Sequence, residues 1–377
     1  MSKSAPGVRA LALALRRRAA RWLGRAADPF ADSASGMALS PSARHFADYE
    51  SAPLALRFAS KPEQDAAAWQ AEARTKLAAL AGYRRAAQAP VAVDDAALPL
   101  PGGGVRRRVY LRARPGVDIP VHIVAPRGGA SPAPVMLCLQ GTNTGAHLSW
   151  GEVRFPADAD MKGYDFARQA ASRGYIAVAI EQSCFGERTE RAIAPRSEAP
   201  CVDATMHALL LGRSLMGERC ADVSAVVDWI AAESAALGAD PARIYAMGHS
   251  AGGSVALFAA ALDTRIAGAL ACGCLGFIRE TIGRRRDNQG QNVIPGILNW
   301  METADIVGLV APRPFVTVAG ETDPIWPAGG AEAVCKEARA IYEKFGAAAR
   351  LRCISAPGGH VFRPVESWTA FEAALSV

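Results

Sequence analysis

The sequence predicts a doubly wound α/β fold with a mostly parallel sheet, and two observations predict it. From about residue 105 onward, short apolar runs rich in β-branched residues alternate with helical segments, which is the pattern of strand–helix–strand units. The later runs are apolar almost throughout, as in VMLCL (135–139) and FVTVAG (315–320). Such strands are typical of parallel sheets that are covered by helices on both faces.

Each element follows from its local sequence. A turn at Pro115–Gly116 separates two alternating runs and predicts a hairpin. The predicted strands are 109–113, 119–125, 135–139, 175–180, 243–248, 266–272, 315–320 and 351–356. Between the strands, helices are predicted at 164–173, 220–236, 251–262 and 330–345.

The chain is predicted to divide near residue 104. Residues 1–104 comprise a basic tail, an irregular arm over 28–62, a helix over 63–82 closed by Gly82, and a Pro/Gly-rich linker over 99–104. The predicted α/β domain covers residues 105–377. Two long connections within it, 181–219 and 273–313, leave strand ends where ligands bind in such sheets, so we expect them to form pocket walls.

The charge distribution argues against nucleic-acid binding by the folded part. The net charge is +6, and residues 1–27 carry seven basic and no acidic side chains, so residues 28–377 carry +6 − 7 = −1. The tail is expected to be a solvated terminus, with an amphipathic helix on an anionic membrane surface as the alternative. The sequence contains no run of about 18 to 20 apolar residues, so no integral membrane segment is predicted.

The eight cysteines predict buried thiols in a reducing compartment. None forms a CxxC pair, and several lie within apolar runs, as is usual for free thiols in cytoplasmic proteins. No Cys/His spacing suits a structural metal ion. The sequence therefore predicts a cytoplasmic protein without a metal site, and it does not predict an oligomeric state.

The strongest chemical motif is Gly248-His249-Ser250-Ala251-Gly252, which matches G-x-S-x-G. It follows a predicted strand and precedes a predicted helix, which is the context that this motif requires. The two glycines allow a tight turn that raises the Ser250 hydroxyl above the sheet, with the helix N-terminus beside it. We interpret Ser250 as a nucleophile.

A serine nucleophile needs a base that an acid orients, in the chain order serine, acid, histidine for this motif. His360 is the one histidine that follows Ser250 in the sequence. Asp323 directly follows the strand 315–320 and is the favoured acid, with Glu321 and Asp305 as alternatives.

The oxyanion donors are expected to be the backbone N–H of Ala251 and one N–H of the loop after strand 135–139, with Thr142 favoured. Other polar and aromatic residues at this edge are candidates for substrate contact, weighed against ordinary structural roles. They are Glu181, His147, Trp150, Trp300 and Trp326.

Several further motifs are shared with one known family: Leu139-Gln140-Gly141, Glu181-Gln182 followed by Phe185-Gly186-Glu187-Arg188, Leu211-Gly212-Arg213, Gly217-Glu218-Arg219 and Leu309-Val310-Ala311-Pro312-Arg313-Pro314. With the loops of Ser250, Asp323 and His360, they make residues 105–377 resemble bacterial α/β-hydrolases related to dienelactone hydrolases and acetyl xylan esterases. The resemblance implies a serine esterase with these three residues as its triad. Dienelactone hydrolases proper use a cysteine nucleophile, so Ser250 argues against that activity.

The predicted function is hydrolysis of a small-molecule carboxylic ester through an acyl-enzyme, without a cofactor. The resemblance implies short-chain or acetyl esters, including those of carbohydrates. One alternative is a serine oligopeptidase, although the 104 residues before the predicted domain are too few for a propeller. The other is a non-catalytic binding protein on a hydrolase fold, which the intact set of Ser250, Asp323 and His360 disfavours.

Overall fold

The structure is a computed structural model that describes residues 40–114, 116–126, 128, 131–191, 199–284 and 290–377. The chain divides into two compact units, Met1–Glu50 and Ser51–Val377. The predicted basic tail, 1–27, lies outside the described residues. Among the described residues, none of the helices has the length and hydrophobicity needed to span a bilayer.

The irregular arm predicted over residues 28–62 is wrong for one segment, because Pro41–Glu50 forms helix α1. Pro41 occupies the first helical position, where its fixed φ angle and missing N–H are tolerated. Residues Ala43 to Phe46 that follow contain no glycine or further proline. The composition averaged over residues 28–62 did not indicate this short helix.

The second unit contains a mixed sheet. Its described strands are β1 Val91–Pro99, β2 Val105–Arg114, β3 Val117–Val124, β4 Ala133–Leu139, β5 Ile176–Ile180, β6 Ala239–His249, β7 Ile266–Cys272, β8 Phe315–Gly320 and β9 Leu351–Ala356. Their spatial order is β1-β2-β3-β5-β4-β6-β7-β8-β9. Pairing is antiparallel from β1 to β5 and parallel from β5 to β9. This confirms the predicted mostly parallel α/β sheet.

The described helices of this unit are α2 Ala66–Ala81, α3 Phe166–Ser172, α4 Pro200–Leu210, α5 Leu215–Ala232, α6 Ser234–Leu237, α7 Ala251–Leu262, α8 Thr303–Gly308, α9 Ala328–Lys344 and α10 Pro364–Leu375. The helix predicted over 63–82 is confirmed as α2, with Asp65 accepting a hydrogen bond from Ala68 N and Gly82 in the left-handed region. Helices α4, α8 and α10 were not predicted.

Alternate residues of the central strands face two helical layers. On one face Val135 and Leu137 pack with residues of α2, α5, α7, α8 and α9. On the other face Met136 and Cys138 pack with residues of α3 and α10. Every residue of α7 is buried, so the helix that follows the G-x-S-x-G motif is anchored over its whole length.

Strand β1 is the main element that the sequence does not predict. Its side chains are mostly exposed, so it lacks the apolar run that identifies the central strands. Two ion pairs join it to β2, Asp95 to Arg107 (2.5 Å) and Asp94 to Arg108 (2.6 Å). The predicted linker over 99–104 is therefore the end of β1 and a hairpin turn, and the compact unit begins at Ser51 rather than at residue 105.

Candidate active site

Ser250 lies in a strained turn between β6 and α7. Its backbone has φ 57° and ψ −123°, a region that non-glycine residues rarely occupy and that clusters at functional sites. A Cβ atom at Gly248 would lie 2.4 Å from the Gly252 carbonyl carbon, and one at Gly252 would lie 2.0 Å from the Leu139 carbonyl oxygen. Both positions therefore require glycine, and the Ser250 side chain is half-buried.

His360 and Asp323 are joined by a hydrogen bond. They lie in the loops after β9 and β8, and His360 Nδ1 is 2.7 Å from Asp323 Oδ2. The other carboxylate oxygen accepts hydrogen bonds from the backbone N–H groups of Ile325 (2.8 Å) and Trp326 (2.9 Å). Asp323 is buried, whereas 19% of the His360 side chain is exposed.

These contacts assign the ring proton of His360. Burial raises the pKa of Asp323, but the hydrogen bonds from His360, Trp326 and Ile325 outweigh it, so the pKa lies below its ordinary value. The carboxylate is ionised at neutral pH and can only accept, so Nδ1 of His360 carries the proton. The other ring nitrogen is therefore available as a proton acceptor.

The two alternative acids lie elsewhere. Asp305 caps helix α8, where its carboxylate accepts hydrogen bonds from the N–H groups of Glu302 (2.9 Å) and Phe58 (2.8 Å). Glu321 is exposed, and its own N–H bonds Ala356 O (2.9 Å). Among the described residues, Asp323 is the carboxylate that contacts His360.

His249 brings the His360 loop beside the serine turn. The ring centroids of His249 and His360 are 4.6 Å apart. Burial, together with the charge of His360, lowers the pKa of His249 to about 3, so the His249 ring is neutral. In this conformation, no hydrogen bond within the described part of the chain joins the Ser250 hydroxyl to His360; such contacts often form only when substrate binds.

The loop after β4 lies against the serine turn. A Cβ atom at Gly141 would be 3.0 Å from the His249 carbonyl oxygen and 3.5 Å from Ser250 Cβ. Thr142 follows Gly141 and is exposed. Ala251 begins α7, and the first N–H groups of a helix have no partner within it. Both expected oxyanion donors therefore belong to segments that meet at Ser250.

Glu181 is buried and holds this loop through hydrogen bonds, which is a structural role. Its carboxylate accepts hydrogen bonds from the side-chain amide of Gln140 (2.6 Å) and the backbone N–H groups of Ala146 (3.0 Å) and Glu187 (3.4 Å). Burial raises the pKa of Glu181 to about 7, although the backbone hydrogen bonds lower it. A Cβ atom at Gly186 would lie 2.1 Å from the carboxylate, so glycine is required there.

His147 lines the cavity beside this loop, and a hydrogen bond to Asp158 fixes its ring. Its Nε2 is 2.8 Å from Asp158 Oδ2, and both side chains are buried. Asp158 also accepts hydrogen bonds from Thr144, Arg154 N and Phe155 N; these and His147 lower its pKa although burial raises it. The cavity has a volume of about 550 Å³.

Among the described residues, the cavity wall includes members of the first long connection, 181–219, and none of the second, 273–313. Phe185, Cys201 and neighbouring residues of 181–219 line it, together with Thr142 and Phe155. Ser250 and His360 are not among the lining residues, so the cavity meets the serine turn through Thr142. The second connection reaches this region through Gln291, whose Nε2 donates to Thr142 Oγ1 (2.9 Å).

The three tryptophans are not among the residues that line this cavity, and their role in substrate contact stays a prediction. Trp150 is buried with its ring centroid 4.3 Å from that of His122. Trp300 lies under the ammonium group of Lys76, 3.7 Å from the ring centroid. Trp326 is buried and donates its backbone N–H to Asp323. Their contacts in this structure are those of packed aromatic side chains, the structural role that the sequence analysis weighed against substrate contact.

Two residues with direct links to the site were not singled out for it. Gln291 lies in the long connection 273–313, and Arg219 lies in the first turns of α5 with 2% of its surface exposed. Arg219 Nη1 donates to Gln291 Oε1 (2.8 Å). The sequence signalled Arg219 only as part of the shared motif Gly217-Glu218-Arg219. Among the described residues, no group of three or more potential metal ligands occurs.

Comparison with known proteins places these observations in a family. The chain is 28% identical over 244 residues to YtaP of Bacillus subtilis (strain 168), a hydrolase by name, covering 64% of this chain and 77% of that protein.

Two solved structures share the fold. A protein from Bacteroides fragilis NCTC 9343 that is named as an acetyl xylan esterase has 20% identity and a TM-score of 0.68, over 87% of this chain and 84% of its own. A CE15 glucuronoyl esterase from Teredinibacter turnerae T7901 has 17% identity and a TM-score of 0.60, over 94% of each chain. The model of the Abhydrolase family matches residues 51–326, most of the sheet and the serine turn. The chain has an α/β-hydrolase-type fold and belongs to the Abhydrolase family.

Proposed function

We propose that the chain is a serine esterase that cleaves carboxylic esters through an acyl-enzyme. The observation that carries the proposal is the Asp323–His360 hydrogen bond of 2.7 Å in a loop beside the strained Ser250 turn. A buried, ionised carboxylate that fixes the tautomer of a partly exposed histidine is the arrangement that activates a serine. The family membership supports a hydrolase.

Each residue has one role in the proposed reaction. The Ser250 oxygen attacks the ester carbonyl carbon while its proton passes to the free ring nitrogen of His360, and the Asp323 carboxylate stabilises the imidazolium. The N–H groups of Ala251 and Thr142 stabilise the oxyanion. His360 then protonates the leaving alcohol. Water, deprotonated by His360, attacks the acyl-enzyme and releases the acid and Ser250.

The substrates that we propose are short-chain or acetyl esters, including those of carbohydrates. The structural relatives named as acetyl xylan and glucuronoyl esterases support this class. A volume of about 550 Å³ is within the range of small-molecule sites. The cavity lies on the Thr142 side of Ser250, so we assign it to one side of the ester, either the acyl or the alcohol part.

We also propose a reducing, cytoplasmic setting. All eight cysteines are free thiols, and seven of them are buried. Contact of the basic tail, 1–27, with an anionic membrane surface remains a proposal from its sequence.

The first experiment compares p-nitrophenyl acetate with an aminoacyl p-nitroanilide as substrates for the wild type and Ser250→Ala. Ester turnover should fall by about 10⁴-fold or more in the variant, because the covalent route is lost. Ser254→Ala is the matched control, since Ser254 lies one turn further along α7 and takes no part in the reaction. Preferred cleavage of the anilide would favour the oligopeptidase, and no Ser250-dependent turnover of either substrate would favour a binding protein.

A further inference from the structure

The Thr142 side chain ends a chain of hydrogen bonds that begins at a buried arginine. Arg219 Nη1 donates to Gln291 Oε1 (2.8 Å), and Gln291 Nε2 donates to Thr142 Oγ1 (2.9 Å). Arg219 and Gln291 are both buried, with 2% and 5% of their surface exposed. Thr142 is exposed and lines the cavity.

The direction of donation along this chain is determined by its first member. A guanidinium has five N–H donors and no acceptor, so the Gln291 group that faces it must be the carbonyl oxygen. The amide nitrogen of Gln291 then faces Thr142 and must donate. The usual ambiguity between the two ends of a glutamine amide is therefore removed.

This direction leaves the proton of the Thr142 hydroxyl available. The oxygen accepts from Gln291, and no acceptor for the hydroxyl proton occurs among the described residues. Gly141, the preceding residue, lies in contact range of Ser250, since a Cβ atom there would be 3.5 Å from Ser250 Cβ. The free proton thus belongs to a residue that lines the cavity and directly follows the residue in contact with Ser250.

Arg219 also supplies an unpaired positive charge. No carboxylate of the described residues forms a salt bridge with it; its remaining contacts are Ser183 O (2.7 Å), Cys201 Sγ (3.4 Å) and the face of the Phe185 ring, 4.8 Å from the centroid. A buried cation without a counter-ion polarises the hydrogen bonds that lead away from it, which makes the last donor stronger. Negative charge that develops near Thr142 would be favoured.

We propose that the Thr142 hydroxyl, in addition to its backbone N–H, donates a hydrogen bond to the oxyanion of the tetrahedral intermediate, and that Gln291 and Arg219 are positioning residues that fix its direction. The inference rests on the proposed function, because it requires an oxyanion to form at Ser250. It adds a side-chain donor to the two backbone donors.

The first test removes the donor and then restores it. Thr142→Val keeps the shape and the backbone N–H but lacks the hydroxyl, so kcat for p-nitrophenyl acetate should fall about 10- to 100-fold with KM changed less than about three-fold. Thr142→Ser restores the hydroxyl and should recover most of the lost kcat. Thr142→Val should lower the unfolding midpoint only slightly, since the Gln291 amide loses an acceptor at a site that is open to solvent on the Thr142 side.

The second test reverses the direction of donation. In Gln291→Glu the carboxylate can only accept, so it pairs with Arg219 and draws the Thr142 proton toward itself and away from the cavity. We expect kcat to fall about 10-fold while the thermal unfolding midpoint stays equal or rises, since the buried cation gains a partner. In the Thr142→Val background the same substitution should have no further effect on kcat.

The outcomes separate the inference from the proposed function. Wild-type turnover that does not depend on Ser250 contradicts the proposed function and the inference with it. Turnover that depends on Ser250 but is unchanged by Thr142→Val or by Gln291→Glu contradicts the inference alone. Losses of kcat that Thr142→Ser does not restore, or that add up in the double variant, would mean that these residues act through the fold.

Discussion

Two parts of the candidate site are built in different ways. Ser250, Asp323 and His360 lie in loops that directly follow β6, β8 and β9, and the contacts that hold each loop come from within it or from the ends of neighbouring strands. The loop after β4, residues 140–147, is fixed by side chains that come from distant parts of the sequence, above all Glu181 and Gln291. The two parts differ in whether contacts at adjacent strand ends or side chains from distant segments hold the loops.

The loops of Ser250, Asp323 and His360 are held by contacts within each loop or between adjacent strand ends. Gly248 allows β6 and α7 to approach each other closely, and Gly252 allows α7 to approach the end of the neighbouring strand β4 at Leu139. In the next loop, the Asp323 carboxylate accepts N–H groups only two and three residues further along the chain. The Gly248 and Asp323 contacts lie within short sequence motifs, which explains why these motifs are readable in the sequence.

The β4 loop uses distant contacts. Glu181 is 41 residues from its partner Gln140, and Gln291 is 149 residues from Thr142. Gln182 adds a further bond from its side-chain amide to the Gln140 carbonyl oxygen. The conformation of this loop therefore depends on the neighbouring strand and on both long connections.

The largest effect is expected from a substitution at the serine turn. Gly252→Ala would place a methyl group 2.0 Å from the Leu139 carbonyl oxygen, a backbone atom that cannot move aside. We expect a loss of unfolding free energy of more than about 4 kcal/mol, or no folded protein. Gly329→Ala is the control, because a Cβ atom there has no neighbour within 4 Å. Urea unfolding measures the stability of both variants. A folded Gly252→Ala protein with wild-type stability would contradict the requirement for glycine at this position.

The next effect keeps the local fold and removes its chemistry. Asp323→Asn preserves the shape of the turn but favours the wrong tautomer of His360, so kcat should fall about 10³- to 10⁴-fold with little change in stability. Glu321→Gln is the matched control two residues earlier, where the carboxylate is exposed. Steady-state kinetics measures both. Equal losses in the two variants would show that Asp323 does not orient the base.

The smallest effect tests the distant part through pH. The folded pKa of Glu181, about 7, lies above its ordinary value of 4.5, so the folded protein binds the proton more tightly than the unfolded chain. Wild-type stability should therefore fall as pH rises from about 4.5 to 7, by on the order of 3 kcal/mol. In Glu181→Gln, the unfolding free energy relative to wild type should rise by that amount over the same interval.

Asp305 provides the control for this titration. Burial also raises the pKa of Asp305 to about 7, but its partners are Glu302 and Phe58, away from the β4 loop. Asp305→Asn should show the same pH dependence of unfolding without a change in kcat, whereas Glu181→Gln should change both. A Glu181→Gln enzyme with wild-type kcat would show that the carboxylate does not organise the loop.

The sequence predicted most strands and helices because the central elements are apolar runs of the right length, such as Ile266–Cys272. It pointed to Ser250, Asp323 and His360 because each comes directly after such a run. It did not predict β1, whose exposed residues carry no periodic signal, nor the link from Arg219 through Gln291 to Thr142. Contacts between residues 72 and 149 positions apart leave no local pattern. Short-range constraints were readable, and long-range ones were not.

Strand β1 has a consequence for association. It is an edge strand among the described strands, none of which pairs the N–H and C=O groups on one side of its backbone. Such edges invite a second chain to add a strand. Asp94 and Asp95 lie side by side at its middle, at a shift in register, and Pro99 ends it. An approaching copy in antiparallel alignment would bring its own two carboxylates to the same place. Charge, irregular register and proline thus oppose aggregation along this edge.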